Sequence, residues 1–159
     1  MIRCTFRLNG RGLSSFSCPG IGFFPAYSGS EGGHRNNPGS THIPDVGPLP
    51  PGKYYIVSRP TGGTLGFFRD YVDSVISGSD RAVWFALFRE DDSIDDTTFF
   101  ESVQRGNFRL HPAGYQGISH GCITLPGRNH YSILREALLN TPKIMVSANL
   151  VAYGTIQVY

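Results

Sequence analysis

The chain has 159 residues, enough for one ordinary hydrophobic core, with a formal net charge of +2 and only 16% charged side chains. That balance excludes the electrostatic footprint of a nucleic-acid binder and the polybasic run of a membrane-surface protein, and no apolar stretch reaches membrane-spanning length. Twenty glycines and eleven prolines beside 13% aromatic residues describe short strands joined by tight turns, so a mainly β, strand-rich α+β fold is expected, in a single domain over residues 1–159.

Asn9-Gly10, between Cys4-Thr5-Phe6-Arg7-Leu8 and Leu13-Ser14-Ser15-Phe16, is a strong hairpin signal because both residues tolerate positive φ. Such a hairpin allows Cys4 and Cys18 to pair, although two buried thiols are an equally open outcome. Three cysteines are an odd number, and Cys122 is the natural one to stay outside a pair. The N-terminal run Met1-Ile2-Arg3-Cys4-Thr5 has no apolar stretch of a secretory signal, so synthesis in a cytoplasm is expected. A third strand spans Gly22 to Tyr27. From Ser28 to Gly52, glycine and proline fill eleven of 25 positions, which reads as a long loop of functional type.

Gly47-Pro48-Leu49-Pro50-Pro51-Gly52 leads rigidly into a strand at Lys53 to Val57, and Val83 to Phe88 reads as a buried strand. Residues 67–76 have no clean period and fit helix or strand. Glu90 to Asp96 is a solvated acidic turn. Asn107 to His111 alternates as a half-buried strand should, and a short element follows over Gly117 to Leu125. Asn129 is a plausible N-cap for one clear helix near residues 130–140, stopped by Pro142. Lys143 to Ser147 and Leu150 to Tyr159 supply closing strands.

The chemistry concentrates in Phe108-Arg109-Leu110-His111-Pro112 and Ser119-His120-Gly121-Cys122. A thiol, an imidazole and a flexible backbone amide are the parts of a cysteine nucleophile site. Cys122 is the expected nucleophile and His111 its base, with a strand, a turn at Pro112-Ala113-Gly114 and a second strand folding back to bring them face to face. The amides of Gly121 and Cys122 serve as oxyanion donors, and Ser119 orients the imidazole or shapes the turn. His111, His120 and Cys122 are also zinc-ligand types, but no further Cys or His completes a familiar spacing, so no metal and no cofactor are expected. His34, His42 and His130 sit where exposed or capping histidines are common. Tyr27, Arg35, Asn36 and Asn37 can line a peptide-gripping groove, turn chemistry being the plain alternative. Tyr27, Asn37 and Arg109 are the candidate substrate-binding residues.

The run Ile118-Ser119-His120-Gly121-Cys122-Ile123 resembles the signature of L,D-transpeptidases. It departs from the YkuD-type pattern in the short interval from His111 to Cys122 and in Thr124, where asparagine is usual. With Tyr27-Ser28-Gly29, Asn36-Asn37-Pro38 and Gly47-Pro48-Leu49-Pro50-Pro51-Gly52-Lys53-Tyr54, the chain is similar to the type VI secretion L,D-transpeptidase effector (Tlde) family from about Tyr27 to Leu125. The resemblance implies an L,D-transpeptidase-like β-sandwich or barrel. It implies an antibacterial toxin that is carried by type VI secretion machinery without a signal peptide and works in the target-cell periplasm. There it would cleave the bond between the L-centre of meso-diaminopimelate and terminal D-alanine in peptidoglycan tetrapeptide stems, through a Cys122 thioester. Water as acceptor gives a carboxypeptidase, a D-amino acid gives exchange, and a second stem gives a crosslink. A cognate immunity protein is implied, and the expected state is a monomer. Two other classes fit the residues: an NlpC-type cysteine amidase or peptidase, and a wall-binding module in which Cys122 is structural.

Overall fold

A computed structural model describes residues 1–59, 81–114 and 121–159. Its strands are β1 (Ile2–Phe6), β2 (Ser14–Cys18), β3 (Gly22–Ser28), β4 (Gly52–Ser58), β5 (Phe85–Arg89), β6 (Thr97–Phe100), β7 (Val103–Gly106), β8 (Arg109–Pro112), β9 (Ile123–Leu125), β10 (Ile144–Ser147) and β11 (Leu150–Val158). The α-helix among the described residues, α1, runs Arg128–Asn140. The described residues are therefore mainly β with one α-helix, in keeping with the β lean of the composition. Residues 67–76 lie outside the described part.

The strands join in the order β1-β2-β3-β9-β8-β5-β4-β11-β10, and β11 also pairs in parallel with β1. That last pairing closes eight strands into a barrel, leaving β10 on the first residues of β11. An eight-stranded barrel has an interior just wide enough to be filled by side chains. Phe6, Phe16, Tyr54, Ile56, Leu87, Leu110, Ile123, Leu125 and Ile156 fill it, all 1% exposed or less. The closure depends on Gly154, where a Cβ would lie 2.5 Å from the carbonyl oxygen of Ile2.

Alternation along β4 and β5 explains their continuous apolar runs. Tyr54 and Ile56, with Phe85 and Leu87, point into the barrel; Tyr55 and Val57, with Ala86 and Phe88, form a second cluster outside it. Ile94, from the acidic segment, and Ile144, Val146 and Leu150 cover that outer cluster. Helix α1 lays Tyr131, Leu134 and Leu138, an i, i+3, i+7 stripe, onto the interior core. The Tyr131 hydroxyl donates to the carbonyl of Leu110 at 3.2 Å and to that of Val83. The helix begins after Gly127, which takes the N-cap place expected of Asn129.

The first two strands are antiparallel, with Thr5 opposite Ser17 and Phe6 opposite Phe16. Their connection is longer than the two-residue turn suggested by Asn9-Gly10. Gly10 alone takes positive φ, +69°, while the Asn9 side chain accepts from Arg11 N–H at 3.0 Å. The same register sets Cys4 opposite Cys18, 4.4 Å apart at Cα, and the two form a disulfide. The spacing is that of a pair without ladder hydrogen bonds, where side chains approach most closely.

The long loop is packed. Leu49 is fully buried and its N–H donates to Ser28 Oγ at 2.8 Å; Ser30 N–H donates to Val46 O at 2.9 Å. Buried Asn36 accepts from Ser28 N–H through Oδ1 and donates to Arg11 O, fastening the loop to the first hairpin.

Candidate active site

β8 and β9 pair in parallel, with Leu110 opposite Ile123, His111 opposite Thr124 and Pro112 opposite Leu125. The two strands thus run side by side in the same direction, not in the fold-back expected from the short interval. Period-two alternation sends Leu110, Ile123 and Leu125 inward, and turns His111 and Thr124 to the outer face. Cys122 directly precedes β9. The Leu110–Ile123 pair is the first of that register, so Cys122 stands immediately before it, two residues ahead of Thr124, the partner of His111. The two candidate residues thus sit on or beside neighbouring strands, through a parallel pairing in place of the expected fold-back.

β3 adds the next neighbour, since Tyr27 lies opposite Thr124 in the antiparallel β3–β9 pair. Tyr27, Thr124 and His111 form one row across three strands. The Tyr27 hydroxyl is hydrogen-bonded to the Thr124 side chain, and Thr124 Oγ1 is 3.4 Å from His111 Nε2. Burial raises the Tyr27 phenol above its ordinary range, against the opposing pull of the Arg35 guanidinium stacked 3.9 Å over the ring. Tyr27 thus stays protonated and able to donate.

His111 is 4% exposed and fixed on two further sides. Trp84 stacks on the imidazole at 4.3 Å with a 21° interplanar angle. Nδ1 is 2.7 Å from the carbonyl oxygen of Pro112. A carbonyl can only accept, so Nδ1 carries the proton and, in the neutral ring, Nε2 holds the lone pair. That is the tautomer a general base needs, set by a backbone group in the place where many triads use a carboxylate.

Cys122 is the cysteine outside the disulfide; it is 9% exposed, and its Sγ lies 3.9 Å from the carbonyl oxygen of Asn107. Gly121 before it has φ +84°, a conformation that favours glycine. A Cβ there would come within 2.6 Å of Arg105 Nη2 and 3.1 Å of Phe108 Cε1. Ser119 and His120 lie outside the described residues.

The other two candidate binding residues have partners of their own. Asn37 caps a short 3-10 helix, Pro38–Ser40, accepting from Gly39 N–H at 2.8 Å and donating to Gly33 O at 2.6 Å. Arg109 makes a two-pronged pair with Asp96, at 2.6 and 2.7 Å. Three residues of the site went unassigned in the sequence: Thr124, Trp84 and Arg105. Thr124 registered there only as a departure from a motif. Nothing local distinguishes Trp84 from a core aromatic or Arg105 from a surface strand residue.

With this arrangement in hand, comparison with known proteins found no match among curated proteins and none among solved structures. The family model of the Tlde1 domain matches residues 22–149, a span that includes Tyr27, Trp84, Arg105, His111, Cys122 and Thr124. The chain belongs to the Tlde1 domain family, a family of type VI secretion effectors.

Proposed function

We propose that this Tlde1-family chain is a cysteine-dependent L,D-transpeptidase or L,D-carboxypeptidase acting on peptidoglycan tetrapeptide stems. The observation that carries the reading is the fixed tautomer of His111, whose lone-pair nitrogen lies 3.4 Å from the hydroxyl of Thr124, two residues after Cys122. His111 Nε2 takes the proton from Cys122 Sγ, and the thiolate attacks the carbonyl at the L-centre of meso-diaminopimelate. The amide hydrogens of Gly121 and Cys122 receive the developing oxyanion. Collapse breaks the amide bond, and the imidazolium returns its proton to the leaving D-alanine nitrogen. A Cys122 thioester remains. Water, a D-amino acid or the amine of a second stem then attacks that thioester, with His111 taking the acceptor's proton and the thiol leaving.

The buried Cys4–Cys18 bond supports action in an oxidising compartment such as a target cell's periplasm, since disulfides persist there and are rare in cytosol. A cognate immunity protein that blocks the site belongs to the same reading. The test is to incubate the protein with purified tetrapeptide muropeptides, with and without a D-amino acid, and identify the products by mass. Release of D-alanine or its exchange supports the proposal. Cleavage elsewhere in the stem would assign the protein to another peptidase class, and no turnover alongside an unreactive thiol would favour a wall-binding module.

A further inference from the structure

The β6–β7 hairpin carries Arg105 into the protein beside the segment that ends in Cys122. Arg105 is 4% exposed. Its Nη1 donates to the carbonyl oxygens of Thr41 and, at 3.2 Å, Pro48, and its Nη2 to that of Gly47 at 3.0 Å. The hydrogen bonds of this buried cation thus go to neutral acceptors. On its other side Nη2 rests against Gly121, where an added Cβ would sit 2.6 Å away. Two residues further on, the Asn107 carbonyl meets the Cys122 sulfur at 3.9 Å, so the 105–107 stretch touches Gly121 and Cys122 in succession.

Burying a charge without a counter-ion costs several kcal/mol, by the order of magnitude of desolvation penalties. The ionisable groups whose charge acts on this guanidinium are, in falling order, the Tyr54 phenol, the Asp45 carboxylate and Cys122. Burial drives Tyr54 far above the ordinary phenol range, so it stays neutral. Asp45 is exposed to solvent, which weakens but does not remove its pull on the guanidinium. The remaining group is Cys122.

We propose that Arg105 is a positioning residue for this site: its buried charge holds Cys122 as a thiolate, and its fork ties the loop over residues 41–48 to the Gly121-Cys122 segment. The inference rests on Cys122 being the nucleophile. It supplies what an unassisted thiol lacks, because free cysteine is only a few per cent thiolate at neutral pH. Positive charge beside a cysteine is a recognised cause of a raised thiolate fraction.

The test is the pH profile of iodoacetamide alkylation, followed by intact mass without reductant. Cys4 and Cys18 are held in the disulfide, so alkylation reports Cys122. The wild-type midpoint is expected below the value of about 8.5 for an ordinary cysteine. Arg105→Gln should raise it by at least about one pH unit, a tenfold loss of thiolate at pH values below both midpoints. A merely structural role would lower stability without moving the midpoint. Because Arg105→Gln also releases three loop carbonyls, Asp45→Asn is the companion variant. Asp45 is exposed with φ +65°, which asparagine accepts, and its loss removes a charge that offsets the guanidinium. Its midpoint should fall by a few tenths of a unit. A depressed wild-type midpoint left unmoved by either substitution overturns the role of Arg105 and leaves the nucleophile in place. A wild-type midpoint already at the ordinary value removes the nucleophile reading itself.

Discussion

Substituting Gly121 by alanine tests how tightly the nucleophile's backbone is held. Its φ of +84° costs an L-residue roughly 1–2 kcal/mol. The new methyl would also press on Arg105 Nη2 at 2.6 Å and Phe108 Cε1 at 3.1 Å, and overpacking of this kind adds about 1–3 kcal/mol. Together these give about 2–5 kcal/mol, a melting temperature lower by about 4–20 °C for a chain of this size. Any relief by backbone movement shifts the Gly121 and Cys122 amides, and loss of one oxyanion donor costs about 10²- to 10³-fold in rate. The assay pairs thermal melts with D-alanine release. Gly12→Ala is the control, because a Cβ there meets nothing within 4 Å and its φ is not positive. That control should melt at or slightly above the wild type. A Gly121→Ala protein that melts within about a degree of wild type and keeps full activity would show that this reasoning about the turn is wrong.

Other perturbations give separable outcomes. Replacing Cys4 and Cys18 together by serine opens a disulfide spanning 14 residues, worth about 3 kcal/mol, so the double variant should melt about 6–12 °C lower; equal melts with and without the bond would contradict this. Arg109→Lys breaks the two-pronged pair with Asp96, so the melting temperature should fall while KM stays unchanged. A KM that rises instead restores Arg109 as a substrate contact. Thr124→Val keeps the shape but removes the hydroxyl between Tyr27 and His111; kcat should drop about tenfold or less, since Pro112 and Trp84 still hold the ring. The Tyr55 hydroxyl, donating at 2.7 Å, and Lys53 hold the Glu90 carboxyl below its ordinary range. That stabilisation is present above the unfolded carboxyl value and lost as pH falls through the folded one. The stability gap between wild type and Glu90→Gln should therefore close on acidification; with Glu90 partly exposed the gap is small, and one that widens in acid would refute the assignment.

Elements whose signal is local were legible: β3 and β11 as strands, the alternation of β8, the apolar runs of β4 and β5, and the existence of α1, whose buried stripe runs through Tyr131, Leu134 and Leu138 and leaves Ile133 exposed. The hairpin of β6 and β7 was not, because its turn residues Glu101 and Ser102 take φ of +51° and +65°, a conformation usually marked by glycine or asparagine. Closure of the barrel was hidden for a different reason. The β1–β11 pairing joins Ile2 to Gly154 across nearly the whole chain, and no local pattern records such a contact. In the candidate site, residue types singled out His111 and Cys122, whereas the parallel register that pairs His111 with Thr124 comes from the sheet. Arg105 shows the limit most clearly. In Val103-Gln104-Arg105-Gly106 it resembles a solvent-facing strand residue, and only the folded loop around Thr41, Gly47 and Pro48 makes it a buried charge.

The central claim, that Cys122 carries the acyl group of a peptidoglycan stem, is tested most directly by trapping the intermediate. Wild-type protein is mixed with tetrapeptide muropeptide, quenched in acid, digested and mapped by mass spectrometry. The account predicts an adduct on the peptide containing Cys122, equal in mass to the muropeptide minus D-alanine and absent from Cys122→Ala. Turnover with no adduct on that peptide, or equal D-alanine release by Cys122→Ala, would contradict it.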